Sequence, residues 1–350
     1  MRKSQRNSRS KPRRRKTLKH RVGGNTTNLG EELFNAIIPY EDEQQTEKQN
    51  VDDLVKIKQL IQQDADIVNF SNNYMTALCM AIAYRRWAIV KLLVEKGADV
   101  NRANIEGDTP LHQAIMEGYL PIVQYLVEHG ADIHRGNIMS NTPLHTAINH
   151  ERWKTVQFLV EHGADINQAN IQGNTPFVSS VISGNLPIVQ YLVEHGADIN
   201  RANNQGYTPL HYSVRYGNLP IVQYLVEHGA DINRANNQGY TPLHYSVRYG
   251  KLPIVQYLLT QNADYTKRNQ AGKMPIDLAP NDNIRNALAA ARAQTQATAI
   301  QNMVSDASRV VGTPKRTTIN QVLPEIKKEI ASYLGGGERR KRPSRKYAKK

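Results

Sequence analysis

The chain has 350 residues, 39% hydrophobic and 22% charged, with a formal net charge of +14 and a single cysteine. No apolar run is long enough to span a bilayer, and the basic amino terminus lacks the apolar core of a secretory signal. One cysteine makes no internal disulfide, so an intracellular, reducing compartment is expected, nucleus or cytoplasm.

The charge is uneven. Residues 1–24 hold eleven Lys or Arg and no acid; residues 315–350 hold twelve against three acids. The two ends therefore carry +20 and the body between them −6. Residues 1–29 read as a disordered basic tail, because like charges without apolar residues cannot build a core. Within it Lys11, Arg13, Arg14, Arg15 and Lys16 resemble a nuclear-import signal. The same charge suits nonspecific contact with nucleic acid or an anionic surface. No zinc spacing, aromatic platform or recognition helix accompanies it, which argues against a sequence-specific reader.

Residues 30–69 read as an atypical capping pair of helices, 31–38 and 51–61, split by a polar insert at 41–50. A 33-residue period follows over 70–267. Thr76, Thr109, Thr142, Thr175, Thr208 and Thr241 keep it, and Met274 takes the next place. Pro-Leu-His follows Thr109, Thr142, Thr208 and Thr241, and Gly-Ala-Asp recurs at 97–99, 130–132, 163–165, 196–198 and 229–231. Such a period marks a repeat architecture.

One unit, 203–234, shows how each is built. Gly206 signals a turn, Thr208 can cap a helix and Pro209 suits its first turn. Leu210 and Val214 make the buried face, Ser213 lets a neighbouring helix come close, and Gly217 ends the helix. Pro220 opens a second helix with Ile221, Val222, Leu225 and Val226 as its apolar stripe, and Gly229 ends it. Six such repeats are expected. Tyr74 and Ser140 stand where Gly is usual, Phe177-Val178 replaces Leu-His, and Glu151 replaces Gly. Cys79 takes a motif-His place and reads as a buried structural thiol.

These units resemble ankyrin repeats, through Gly-x-Thr-Pro-Leu-His, Ile-Val-x-x-Leu and Gly-Ala-Asp-Ile-Asn. The resemblance covers roughly 31–292. It implies an all-α repeat solenoid in which each repeat adds a β-turn finger and two antiparallel helices. It also implies that partners touch the finger tips and the exposed face of each first helix, in a concave groove. Carried over by motif position, the contact residues include Met116 and Glu117, then Asn149 and His150. The last two repeats give Tyr207, Arg215, Tyr216, Tyr240, Arg248 and Tyr249, with Tyr212 and Tyr245 beside them. Finger-tip positions such as Asp108, Asn174, Asn204 and Asn237 belong to the same set. Tyr and Arg dominate interface hot spots. The bland alternative is duplication: 201–225 and 234–258 differ only at Asn218 against Lys251, so the Tyr/Arg strip can be a product of copying.

His112, His145, His211 and His244 are motif residues that, by the resemblance, hydrogen-bond between neighbouring fingers. His129, His162, His195 and His228 precede helix-ending glycines. Their spacing spreads them apart, so no metal is expected. No phosphate loop or nucleophile elbow occurs, so neither a cofactor nor catalysis is expected.

Residues 268–292 read as a carboxyl-terminal capping repeat ending in an Ala-rich helix, 293–317 as linker, and 335–350 as a second basic tail. Over 318–334, Leu323, Ile326, Ile330, Tyr333 and Leu334 fall on one helical face. With Pro324 and Glu325, this resembles the opening of an F-box, one residue short and without the remainder. Such an element implies recruitment of the Skp-type adaptor of cullin ubiquitin ligases, as in ankyrin proteins of large DNA viruses, which the basic, Gly-flanked tails also resemble; the compartment would then be a host cell's. Docking of this helix on the Ala-rich cap, or another partner, remain the alternatives. The functional expectation is a monomeric, non-catalytic module for a protein partner. A ligase adaptor and a nucleic-acid-associated protein stand as alternatives.

Overall fold

The computed structural model describes residues 25–39, 47–72 and 74–310. The import-like cluster at 11–16 and the helix expected at 318–334 lie outside these residues. Two compact units divide between Ile138 and Met139.

The first unit holds α1 (Asn25–Ile37), α2 (Glu47–Gln63), a 3-10 turn (Ala65–Asn69), α3 (Ala77–Ala83), α4 (Trp87–Glu95), α5 (Pro110–Glu117) and α6 (Leu120–Glu128). The second holds α7 (Pro143–Asn149), α8 (Trp153–Glu161), α9 (Pro176–Ser183), α10 (Leu186–Glu194), α11 (Pro209–Tyr216), α12 (Leu219–Glu227), α13 (Pro242–Arg248) and α14 (Leu252–Thr260). It ends with a 3-10 turn (Pro275–Leu278) and α15 (Asp282–Val310). Among the described residues, extended pairing is confined to one isolated bridge, Ser71 to Thr76.

Local chemistry starts each first helix. Thr208 caps α11 in extended backbone, Pro209 takes the first helical place, and Gly217 closes the helix at φ 79°. The buried face is as the spacing predicts. Leu210, Val214, Ile221, Val222 and Leu225 are fully inaccessible, while Val226 is only half covered. Each full burial of this kind contributes about 1.5–3 kcal/mol. α11 packs on its neighbours α9 and α13 as closely as on α12 behind it, so the core runs on from repeat to repeat.

Three boundaries differ from expectation. α1 begins at Asn25, inside the stretch read as tail, and α2 begins at Glu47, inside the polar insert. α15 runs on to Val310 through the stretch read as linker. That stretch looked unstructured because it lacks an apolar stripe. Yet Ala, Gln and Arg favour helix, and neither Gly nor Pro interrupts 282–310.

A buried ion pair holds the amino-terminal cap. Arg86 Nη2 donates to Asp53 Oδ2 at 2.7 Å, and its Nη1 donates to the carbonyl of Ile37 at 3.3 Å. One guanidinium thus joins α1, α2 and the entry to α4. Cys79 is buried as expected, and desolvation pushes its thiol pKa up.

Candidate protein-interaction surface

The fingers of the later repeats are braced by asparagines that recur every 33 residues. Asn203 Oδ1 accepts from the amides of Gln205 and Tyr207, closing the finger turn. Its Nδ2 donates to Asn174 Oδ1 and to the Tyr212 hydroxyl. Asn236 repeats this with Gln238, Tyr240 and the Tyr245 hydroxyl. The glycine at each tip is needed twice over. Gly206 has φ +80°, and a Cβ there would meet the amide nitrogen of Asn237 at 2.7 Å.

Motif histidines join finger to finger, as the family likeness implies. His211 Nδ1 accepts from the Thr208 amide at 3.1 Å, so the ring proton sits on Nε2. Nε2 donates to the carbonyl of Tyr240 in the next finger at 3.0 Å. His145 and His244 make the same bridge to Asn174 and Lys273. Burial depresses the His211 pKa to about 4, and lowers that of His244 for the same first cause. The other histidine series caps second helices: the Nδ1 of His129, His195 and His228 donates to Tyr125, Tyr191 and Tyr224 carbonyls at 2.7 Å, with each ring against that tyrosine.

The Tyr/Arg strip divides in two. Tyr245 is only 4% exposed, and its hydroxyl bonds to the Tyr207 hydroxyl. Tyr212 is half-buried, with its hydroxyl donating to Asn174 at 3.3 Å. Burial first, and for Tyr245 the Tyr207 hydrogen bond next, raise the pKa of these phenols. Tyr245, expected beside the contact face, is therefore part of the internal finger network, as are Tyr207 and Tyr212 in part. Tyr212 and Tyr245 each lie nine residues after the asparagine that bonds the hydroxyl.

Arg215, Tyr216, Arg248 and Tyr249 remain on the surface, at the carboxyl ends of α11 and α13. Tyr216 is 53% and Tyr249 43% exposed. The Tyr249 ring stacks on Tyr245 at 5.8 Å, and the Arg248 guanidinium lies 5.7 Å from the centroid of half-buried Tyr240. The Lys251 side chain lies over Gly217 and adds a cation that the sequence reading missed. Asn149 and His150 are exposed in the second unit. Met116 and Glu117 of the first unit are half-buried, and Glu117 is engaged by Arg85 at 3.6 Å and by Gln113 at 3.2 Å.

Two tip positions are corrected. Asp108 and Asn174 are buried and accept from Asn137 and Asn203. Asn204 and Asn237 stay exposed at their tips, with their Nδ2 groups donating to the carbonyls of Ile171 and Asn204 in preceding fingers. Among the described residues no group of three or more His, Cys, Asp or Glu converges on a possible metal position, and no helix is long and apolar enough to cross a membrane. What remains is a braced scaffold presenting guanidinium donors and phenol rings.

Helix pairs of fixed period, closed by fingers, define a repeat module for protein–protein interaction. The family model for ankyrin repeats matches in three copies, at residues 48–137, 134–203 and 200–269. The chain belongs to the ankyrin-repeat family. Among solved structures it is similar to the ankyrin repeat domain of Bcl-3, described as a unique member of the IkappaB protein family, with 28% identity and a TM-score of 0.55 over 61% of this chain and 98% of that one. It is also similar to the human ASB11 ankyrin repeat domain, with 28% identity and a TM-score of 0.56 over 62% of this chain and 98% of that one. No curated protein matches it significantly.

Proposed function

We propose that this chain is a non-catalytic scaffold. Its protein partner lies across the fingers and first helices of the later repeats and contacts Arg215, Tyr216, Arg248 and Tyr249. The observation that supports this is the division of the strip. Tyr212 and Tyr245 are turned inward, whereas one turn later two Arg-Tyr pairs stay exposed in successive repeats. Rigid aromatic rings beside guanidinium groups are the commonest interface anchors.

Tyr216→Ala combined with Tyr249→Ala tests it. The partner captured by the wild-type chain should bind roughly a hundredfold more weakly, on the scale of two hot-spot losses. The melting curve should stay unchanged, because neither ring is in the core. Full binding by a normally folded variant would assign the strip to duplication.

Two subordinate readings rest on sequence outside the described residues. The Leu-Pro-Glu-Ile run of Leu323, Pro324, Glu325 and Ile326 supports recruitment of a ubiquitin-ligase adaptor. Leu323→Asp with Ile330→Asp should then abolish ligase capture. The basic ends support contact with nucleic acid, whose affinity should fall steeply with salt and vanish when both ends are removed.

A further inference from the structure

We propose that residues 319–334 of the chain itself dock as a helix in a groove on the last repeat. The groove, about 510 Å³, lies between the final finger and α15. Tyr265, Met274, Ile276 and Ala299 give it an apolar lining, with Arg268 and Arg292 at its rim. Its apolar residues are those that a further repeat would cover. Leu243 and Leu210, one and two periods earlier, are fully buried by the next layer; Ile276 in the same place is half-exposed. Thr241 is 1% exposed, whereas its counterpart Met274 is half-exposed. The end of the stack also leaves Asn269 Nδ2 buried without a hydrogen-bond partner, because Leu278 replaces the tyrosine that serves Asn203 and Asn236. The last layer is thus incomplete.

Reach and shape point to this segment as the occupant. The described part of α15 reaches Val310, eleven residues beyond Ala299, or about 16 Å along the helix. The eight residues 311–318 can span up to about 26–29 Å, and Gly312 and Pro314 favour a reversal there. So short a tether holds the segment at roughly millimolar effective concentration over the groove. Leu323, Ile326, Ile330 and Leu334 form a single apolar stripe of the kind such a lining requires. Docked, the stripe is hidden, so an outside adaptor and the groove compete for one face.

Hydrogen exchange on the full-length chain tests this. The amides of 319–334 should exchange at least tenfold slower than a free peptide of the same sequence, equally at low and high protein concentration. Ile326→Asp with Ile330→Asp should remove that protection and expose the groove segment of α15. On the groove side, Ala299→Lys and Arg292→Glu sit on exposed or half-exposed helix positions and should leave the repeats folded while deprotecting 319–334. Free-peptide exchange rates in the wild-type chain overturn the proposal, as does protection indifferent to the groove variants. Protection that appears only at high concentration assigns the groove to a second copy and likewise overturns it.

Discussion

Glu151 holds φ 55°, the left-handed conformation that other repeats give to Gly118, Gly184 and Gly217. A side chain there costs about 1–2 kcal/mol, so Glu151→Gly should raise stability by about 1 kcal/mol, seen as a higher urea midpoint. Arg85 has the same strain at φ 56° but also bonds the Glu117 carbonyl, so Arg85→Gly should gain less. His211 supplies a pH dependence. Its folded pKa of about 4 lies below the ordinary 6.5, so between these values the unfolded chain binds more protons. Stability is therefore full above about pH 6.5 and falls as pH drops towards 4, and protonation removes the Nδ1 acceptor from the Thr208 amide. Urea midpoints at several pH values check this: His211→Gln should flatten the acid limb, and an unchanged limb would show that His211 does not carry it. The motif residues were legible because Thr, Pro, Leu and His recur in register. The burial of Tyr245 was not, because helix spacing shows which residues share a face but not that a finger asparagine bonds the phenol of one of them.

Elements are fixed here by their ends as much as by their stripes. The short helices α5, α9 and α11 survive because a Thr-Pro start and a Gly finish satisfy their terminal groups, and those signals made their bounds readable. The capping helices differ from the reading: α1 and α2 reach back to Asn25 and Glu47, and α15, which Asn281 caps through the Ile284 amide, runs on without a stripe. The amino-terminal cap depends instead on Arg86, which pairs with Asp53 at 2.7 Å in a buried site. Its contribution could not be read from sequence, since the partners lie 33 residues apart and neither belongs to the Thr-Pro-Leu-His motif. Arg86→Ala should destabilise the first unit by about 3–5 kcal/mol, because it takes away the guanidinium that pairs with the buried Asp53 carboxylate. Adding Asp53→Asn to that variant should restore part of the loss. Equal melting of the single and double variants would deny the pair its structural role.

At the scale of the whole molecule, a mildly acidic repeat body carries strongly basic ends, and the charge that gives the chain its net sign lies almost wholly outside the described repeats. Because α11 packs on both α9 and α13, stability within the second unit is shared between repeats. Leu210→Asp buries a charge in that shared core and should unfold several repeats together, seen as a loss of helical signal larger than one helix pair contributes. Recognition, on the account given, sits on what this shared core leaves outside: Arg215, Tyr216, Arg248 and Tyr249, braced from beneath by Tyr207, Tyr212 and Tyr245. The direct test is the affinity of a partner captured by the wild-type chain, measured side by side for Tyr216→Ala/Tyr249→Ala and for Tyr207→Phe/Tyr245→Phe. The account predicts that the surface pair loses binding at an unchanged melt, and that the internal pair melts lower but binds normally once folded. Normal binding by the surface pair, or loss confined to the internal pair, would contradict it.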